Sequence, residues 1–299
     1  MKAVPRVVLG PMVPSEPAWR SEVWFWATVS ATALPVVAVG TAIATGPWMP
    51  GHEPFLSACV RWAGTPVGRV ALTALTVLLA YPLMRVTLSL ARRMRGTRRW
   101  LYLLRYAPAA SWPDAYWSRV VRAGLAGRVE LCALPLAGAW TVGLWRPRVV
   151  VATTLLQTLT PDELEAVLHH EAHHLRRRHP LQALIIGALR DGFGWFPAVA
   201  ATAEAYAASR EFAADAEAVR GCGAEALYSA LLKCRNAAVI LEPSGTPAFT
   251  DLAERRLERL AGGDGRSRLP TPARAWLQSA VLTLVCSGLG AVACGAAVR

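Results

Sequence analysis

Five of the six histidines in this 299-residue chain fall in one stretch, TPDELEAVLHHEAHHLRRRHP at 160–180. Its conformation decides what the rest of the chain must supply. Thr160 suits a helix N-cap, Pro161 the first helical position, and Glu163 completes a capping box three residues after Thr160. Leu164, Val167, Leu168 and Leu175 then give an apolar stripe, and Pro180 closes the helix. Within it, His170-Glu171-Ala172-His173-His174 has the form His-Glu-x-x-His. Residues i and i+4 lie one turn apart on one face, so His170 and His174 both reach a single tetrahedral Zn²⁺. Glu171 sits about 100° round the helix from His170. It reaches a water at the metal without ligating the ion, which makes it the candidate general base. His169 and His173 repeat the spacing, but the residue after His169 is His170 and not a carboxylate, so they belong to the surroundings of the site or to the surface.

A catalytic zinc takes three protein ligands and leaves one position open. The extended motif with a third histidine is excluded, because position 177 is Arg and position 180 is Pro. The downstream helix AEAYAASREFAADAEAV, 203–219, offers Glu204, Glu211, Asp215 and Glu217. Glu211 and Asp215 are one turn apart, so one of them ligates while the other holds the Nδ1 proton of a ligand histidine. Glu204 has Ala208 at that spacing and ranks lower. Upstream, 128–134 and 139–153 are rich in β-branched and aromatic residues about a turn at Arg146-Pro147, which predicts a small sheet. An exposed edge there suits an extended peptide substrate.

The chain is 54% hydrophobic and 17% charged, with mean hydropathy +0.32 and a pI near 10.2. That balance excludes disorder and is too apolar for an ordinary soluble domain. Residues 24–46 and 276–298 carry no charge, and 66–91 carry only Arg69 and Arg85, so all three read as transmembrane helices. Arginines at 92, 93, 95, 98, 99 and 105 follow the second, whereas the short outer loop 47–65 has only Arg61. The positive-inside rule therefore predicts a cytoplasmic N-terminal segment 1–23 and a cytoplasmic domain 92–272. Within that domain 180–203 is apolar. A single crossing there would part His174 from Glu211, so a hydrophobic hairpin that dips into the bilayer or packs on the spans is expected. The net charge of +12 comes without a nucleic-acid recognition motif, so lipid is the expected anionic partner and direct nucleic-acid binding is not. The cysteines form no CxxC, and Cys132, Cys222 and Cys234 read as small apolar residues.

The run from Ala139 to Pro180, followed by SREFAAD at 209–215 and RRLERL at 255–260, resembles the membrane-embedded gluzincin metallopeptidases of the BlaR/MecR antirepressor type, and more distantly the HtpX and CAAX-prenyl-protease group. The resemblance implies zinc on His170, His174 and Glu211, with Glu171 as general base and Asp215 holding a ligand. It implies an endopeptidase whose substrate is a cytoplasmic protein such as a winged-helix repressor of the BlaI kind. HtpX-like quality control of membrane proteins and a zinc-binding signalling protein that does not cut are the alternatives. His179 and Tyr206 are candidates, without assignment, for stabilising the oxyanion. The expected architecture is a mainly α membrane protein with a cytoplasmic gluzincin-like α+β zinc-protease domain bearing a small sheet. Its expected location is a bacterial-type cytoplasmic membrane, with the active site on the cytoplasmic side.

Overall fold

The computed structural model describes residues 17, 19–44, 64–135, 137–237, 248–262 and 273–284. The chain forms two compact units. One comprises Met1–Val23, Ala91–Ile185 and Ala205–Leu269, the other Trp24–Leu90, Ile186–Glu204 and Pro270–Arg299.

In chain order the described elements are α1 (Trp19–Ala44), α2 (Pro66–Tyr106), β1 (Ala109–Ala110), α3 (Asp114–Arg122), β2 (Val129–Cys132), β3 (Ala139–Val142) and β4 (Arg148–Ala152). There follow α4 (Thr153–Thr158), α5 (Pro161–Arg176), α6 (His179–Phe193), α7 (Pro197–Cys222), α8 (Ala224–Ala237), α9 (Ala248–Leu260) and a helical segment at 273–284.

The first unit holds a four-stranded sheet in the order β1-β2-β4-β3. β2 and β4 are parallel, and β3 returns antiparallel to β4 with Trp140 opposite Val150. β4 is the central strand, and Val149, Val150, Val151 and Ala152 are fully buried, as an unbroken apolar run in the middle of a sheet should be. The β3–β4 turn depends on Gly143, whose φ is +94°. A Cβ there would also lie 2.9 Å from the Arg146 carbonyl oxygen, so glycine alone fits. β3, at the edge, has one side unpaired within the sheet.

α5 packs Leu164, Leu168 and Leu175 into one core with Val149, Val151 and Leu155. Its start is fixed by the capping box: Thr160 Oγ1 accepts from the Glu163 amide at 3.4 Å, and Glu163 Oε2 accepts from the Thr160 amide at 2.7 Å. The same carboxylate accepts from Ser229 Oγ at 2.5 Å and Lys233 Nζ at 2.7 Å, both on α8. A local capping signal thus also ties α5 to a helix some seventy residues on.

In the second unit Phe193, Phe196, Ala198 and Val199 cluster with Ala31. Gly192 brings α6 against α2, since a Cβ there would sit 2.7 Å from the Pro82 carbonyl oxygen. Ser89 donates to the Asp191 carboxylate at 2.5 Å. The apolar stretch 180–203 is broken by a turn at Gly194, Trp195 and Phe196, after which Pro197 opens α7.

The expectation of transmembrane helices is corrected. Among the described residues no helix is long and apolar enough to cross a membrane. α1 has Arg20 and Glu22 in its first turn and carries Thr28 and Thr32, whose hydroxyls bond back to the carbonyls of Trp24 and Thr28. Residues 66–91 do not form a separate span, because α2 runs on as one helix of 41 residues through the arginines from 92 to 105. Of the stretch 276–298, residues 285–298 lie outside the described residues, as does nearly all of the loop 47–65.

Burial pushes the Glu163 carboxyl up, but the bonds from Lys233, Ser229 and the Thr160 amide outweigh it and hold the group below its ordinary 4.5. A carboxyl depressed on folding contributes stability above the unfolded pKa, and that contribution is lost as pH falls through the folded value. Glu163→Gln should therefore be less stable than the native chain at neutral pH, with the gap closing below pH 4.5 in thermal melts. A gap that persists in acid would show that the charge is not responsible. Thr160→Ala should cost about 1 kcal/mol in urea unfolding.

Candidate metal centre

Three side chains converge between α5 and α7. His170 Nε2 and His174 Nε2 lie 3.0 Å apart. Glu211 places Oε2 3.4 Å from the first and Oε1 3.6 Å from the second. All three residues are buried. Tetrahedral zinc with bonds of about 2.0–2.1 Å separates its ligand atoms by roughly 3.3 Å, and the three observed separations bracket that value. Two imidazole nitrogens and one carboxylate oxygen are also the donor set that a borderline divalent cation takes. The residues fit a metal, and three protein donors leave one position of a tetrahedral set for a non-protein ligand.

The helix spacing explains the convergence. His170 and His174 are i and i+4 on α5, as Glu211 and Asp215 are on α7, so each helix offers one face with two groups a turn apart. Asp215 lies behind His170: its Oδ1 is 3.0 Å from His170 Nδ1. It therefore fixes the tautomer that leaves Nε2 free to ligate. Arg256, from α9, grips the same carboxylate, with Nη2 to Oδ1 at 2.6 Å and Nε to Oδ2 at 2.9 Å. Its Nη1 also comes within 3.5 Å of Glu211 Oε2.

Burial alone would raise both carboxyls. For Glu211 the charges of His174 and Arg210 outweigh burial and hold it well below the ordinary range, and for Asp215 Arg256 does so. Arg210 contributes directly, donating to Glu211 Oε1 at 2.8 and 3.0 Å. The two histidines diverge. Burial and Arg256 push His170 down, but Asp215 and Glu211 more than compensate and raise it to about 9. His174 is lowered, chiefly by burial. The difference follows from the second carboxylate, which faces Nδ1 of His170, whereas Nδ1 of His174 faces a histidine.

That histidine is His179, with its Nδ1 2.6 Å from His174 Nδ1. It stands behind the ligand ring, on the side away from the ligating nitrogen, and burial lowers its pKa strongly. The Tyr206 hydroxyl donates to Gln182 at 3.1 Å, and its buried ring has the Arg210 guanidinium 6.0 Å from its centroid. His173 is buried beside His179, with ring centroids 5.4 Å apart. His169 is turned to another face of α5, toward Cys222 and Gly221. Glu204 and Glu217 take no part: Glu204 pairs with Arg190, and Glu217 with Arg176 and Arg220.

Glu171 points to the sheet. The Thr141 hydroxyl, on β3, donates to Glu171 Oε2 at 2.7 Å. Thr141, Arg210 and Arg256 carry no local signal of these roles in the sequence. Thr141 is one β-branched residue in a strand, and Arg256 is 41 residues from the aspartate it holds.

Asp215→Ala should weaken metal binding about 10–100-fold, measured by competition with a chelator. Arg256→Met, which takes the bidentate cation from a buried carboxylate, should cost about 3–5 kcal/mol in urea unfolding.

No curated protein and no solved structure matches the chain. Residues 134–258 match the family described as BlaR1 peptidase M56. The matched range takes in β3, both metal-site helices and Arg256, and supports a membrane-associated metallopeptidase of the BlaR1 type.

Proposed function

We propose that the chain is a zinc endopeptidase that hydrolyses a peptide bond in a cytoplasmic protein, and that this protein is a winged-helix repressor of the BlaI kind. The observation that carries the reading is the meeting of His170, His174 and Glu211 in one buried set, with Glu171 held beside it by a strand at the sheet edge. The match to the BlaR1 peptidase supports the peptidase activity.

His170, His174 and Glu211 would hold the ion, and zinc, when bound, polarises a carbonyl oxygen and makes a water acidic near neutral pH. The chain's own groups do the rest. Asp215 keeps the proton on His170 Nδ1, and Arg256 keeps Asp215 ionised and in place. The Thr141 hydroxyl occupies Oε2 of Glu171 and thereby orients the carboxylate, leaving Oε1 to take the proton of the attacking water. Glu171 then returns that proton to the leaving amine as the C–N bond breaks. The open side of β3 accepts an extended peptide through main-chain bonds. A peptide paired there is carried by the same strand that positions the base.

Glu171→Ala should keep its metal and lose cleavage of a purified repressor of this class by about 10²–10⁴-fold, followed by mass spectrometry of the products. Cleavage by Glu171→Ala at the native rate would overturn the assignment of the base. Zinc-loaded native chain that leaves such repressors intact while cutting unfolded membrane proteins would replace the substrate with that of a quality-control protease.

A further inference from the structure

α5 presents a second face with metal-binding chemistry. Glu165 and His169 are again i and i+4, and Cys222, in the last turn of α7, meets them. One donor atom from each of the three lies within 4.8 Å of the other two. We propose that Glu165, His169 and Cys222 form a second cation site, for zinc or a similarly thiophilic divalent ion, separate from the set His170, His174 and Glu211.

Three features of this face support a site. The first is the seat of the imidazole. A Cβ on Gly221 would lie 2.9 Å from Nε2 and from Cδ2 of His169. The ring therefore rests directly on the α7 backbone, next to the cysteine, at a place where only glycine admits it.

The second is the state of the carboxylate. Glu165 is buried, accepting from Arg122 Nε through Oε1 at 2.6 Å, and from Arg119 Nη1 and Arg122 Nη2 through Oε2 at 2.8 and 2.7 Å. A carboxylate has about four acceptor positions, so three bonds leave one for a cation. Arg119 also pairs with Asp162, so the two arginines are partly neutralised by carboxylates before any ion arrives.

The third is the donor set, one thiol, one imidazole and one carboxylate with their donor atoms grouped; burial pushes the Cys222 thiol up to about 11, so it keeps its proton until a metal displaces it. Binding replaces the S–H bond with a sulfur–metal bond and releases the proton to solvent. Sulfur, imidazole nitrogen and carboxylate oxygen in one set suit zinc and disfavour magnesium and calcium. With three protein ligands the fourth position falls to water. Such an ion fastens the last turn of α7 to α5, the two helices that carry the first metal set.

Cobalt distinguishes the two sites, because only this one contains sulfur. Full-length chain loaded with Co²⁺ alone should show a thiolate-to-cobalt charge-transfer band in the near ultraviolet. Cys222→Ser and His169→Gln should each lose the band and one equivalent of metal, while circular dichroism stays native. His170→Ala should lose one equivalent and keep the band. Folded native chain without a band, or a band that survives Cys222→Ser, would overturn the proposal. Failure of the peptidase reading would appear elsewhere, as absent cleavage with the band intact.

Discussion

Glu211 and Asp215 lie one helical turn apart on α7, both buried and both ionised. Two charges cannot be taken out of water together unless each is met by cations and hydrogen-bond donors, and much of the first unit follows from meeting them. Asp215 receives the bidentate grip of Arg256 and the Nδ1 side of His170. Glu211 receives Arg210 and faces both ligand histidines. This is what α9 brings to the site: without Arg256, Asp215 would keep only the Nδ1 side of His170 as its partner.

The helix that carries the histidines does several jobs by presenting different faces. Leu164, Leu168 and Leu175 go to the core shared with the sheet. His170 and His174 go to α7, and Glu171 goes to β3. Glu163 turns back on the N-cap and across to α8. A period of 3.6 residues makes this division possible, because residues one apart point about 100° away from each other. The run His169-His170 is thus not redundant. Neighbours in sequence, the two rings serve different groups of partners.

How much of this was legible in the sequence depended on distance along the chain. The start of α5, its capping box and the face shared by His170 and His174 are set by residues within one or two turns, and the sequence reading placed them correctly. The small sheet was legible for a similar reason, since β-branched runs and the turn at Arg146-Pro147 act locally. The carboxylates could be narrowed to a pair by spacing, and in the structure Glu211 faces Nε2 of both histidines while Asp215 faces Nδ1 of His170. Arg256 and Thr141 were not legible, because their function exists only once α9 and β3 have packed against α5. The expected membrane spans fail for a different reason: among the described residues no helix is long and apolar enough to cross a membrane, and α2 continues without a break from the apolar stretch 66–91 into the arginines from 92 to 105. Cys222 read as a small apolar residue, since nothing near it in sequence announces Glu165 and His169.

The Thr141 hydroxyl shows how the sheet and the metal set become one device. In the proposed function Glu171 is the general base, and such a base works when its carboxylate is held within hydrogen-bond reach of the proton it takes. Here the holder is not another residue of the metal helix but a strand at the sheet edge, with its own register fixed by Thr141 opposite Val149. That strand is locked to fully buried β4, and β4 packs in the same core as Leu164 and Leu168 of α5. The Glu171 carboxylate is therefore located twice, once through its own helix and once through the sheet, and both paths end in the same core. A cavity opened in that core would move Thr141 and the histidines relative to each other without touching either.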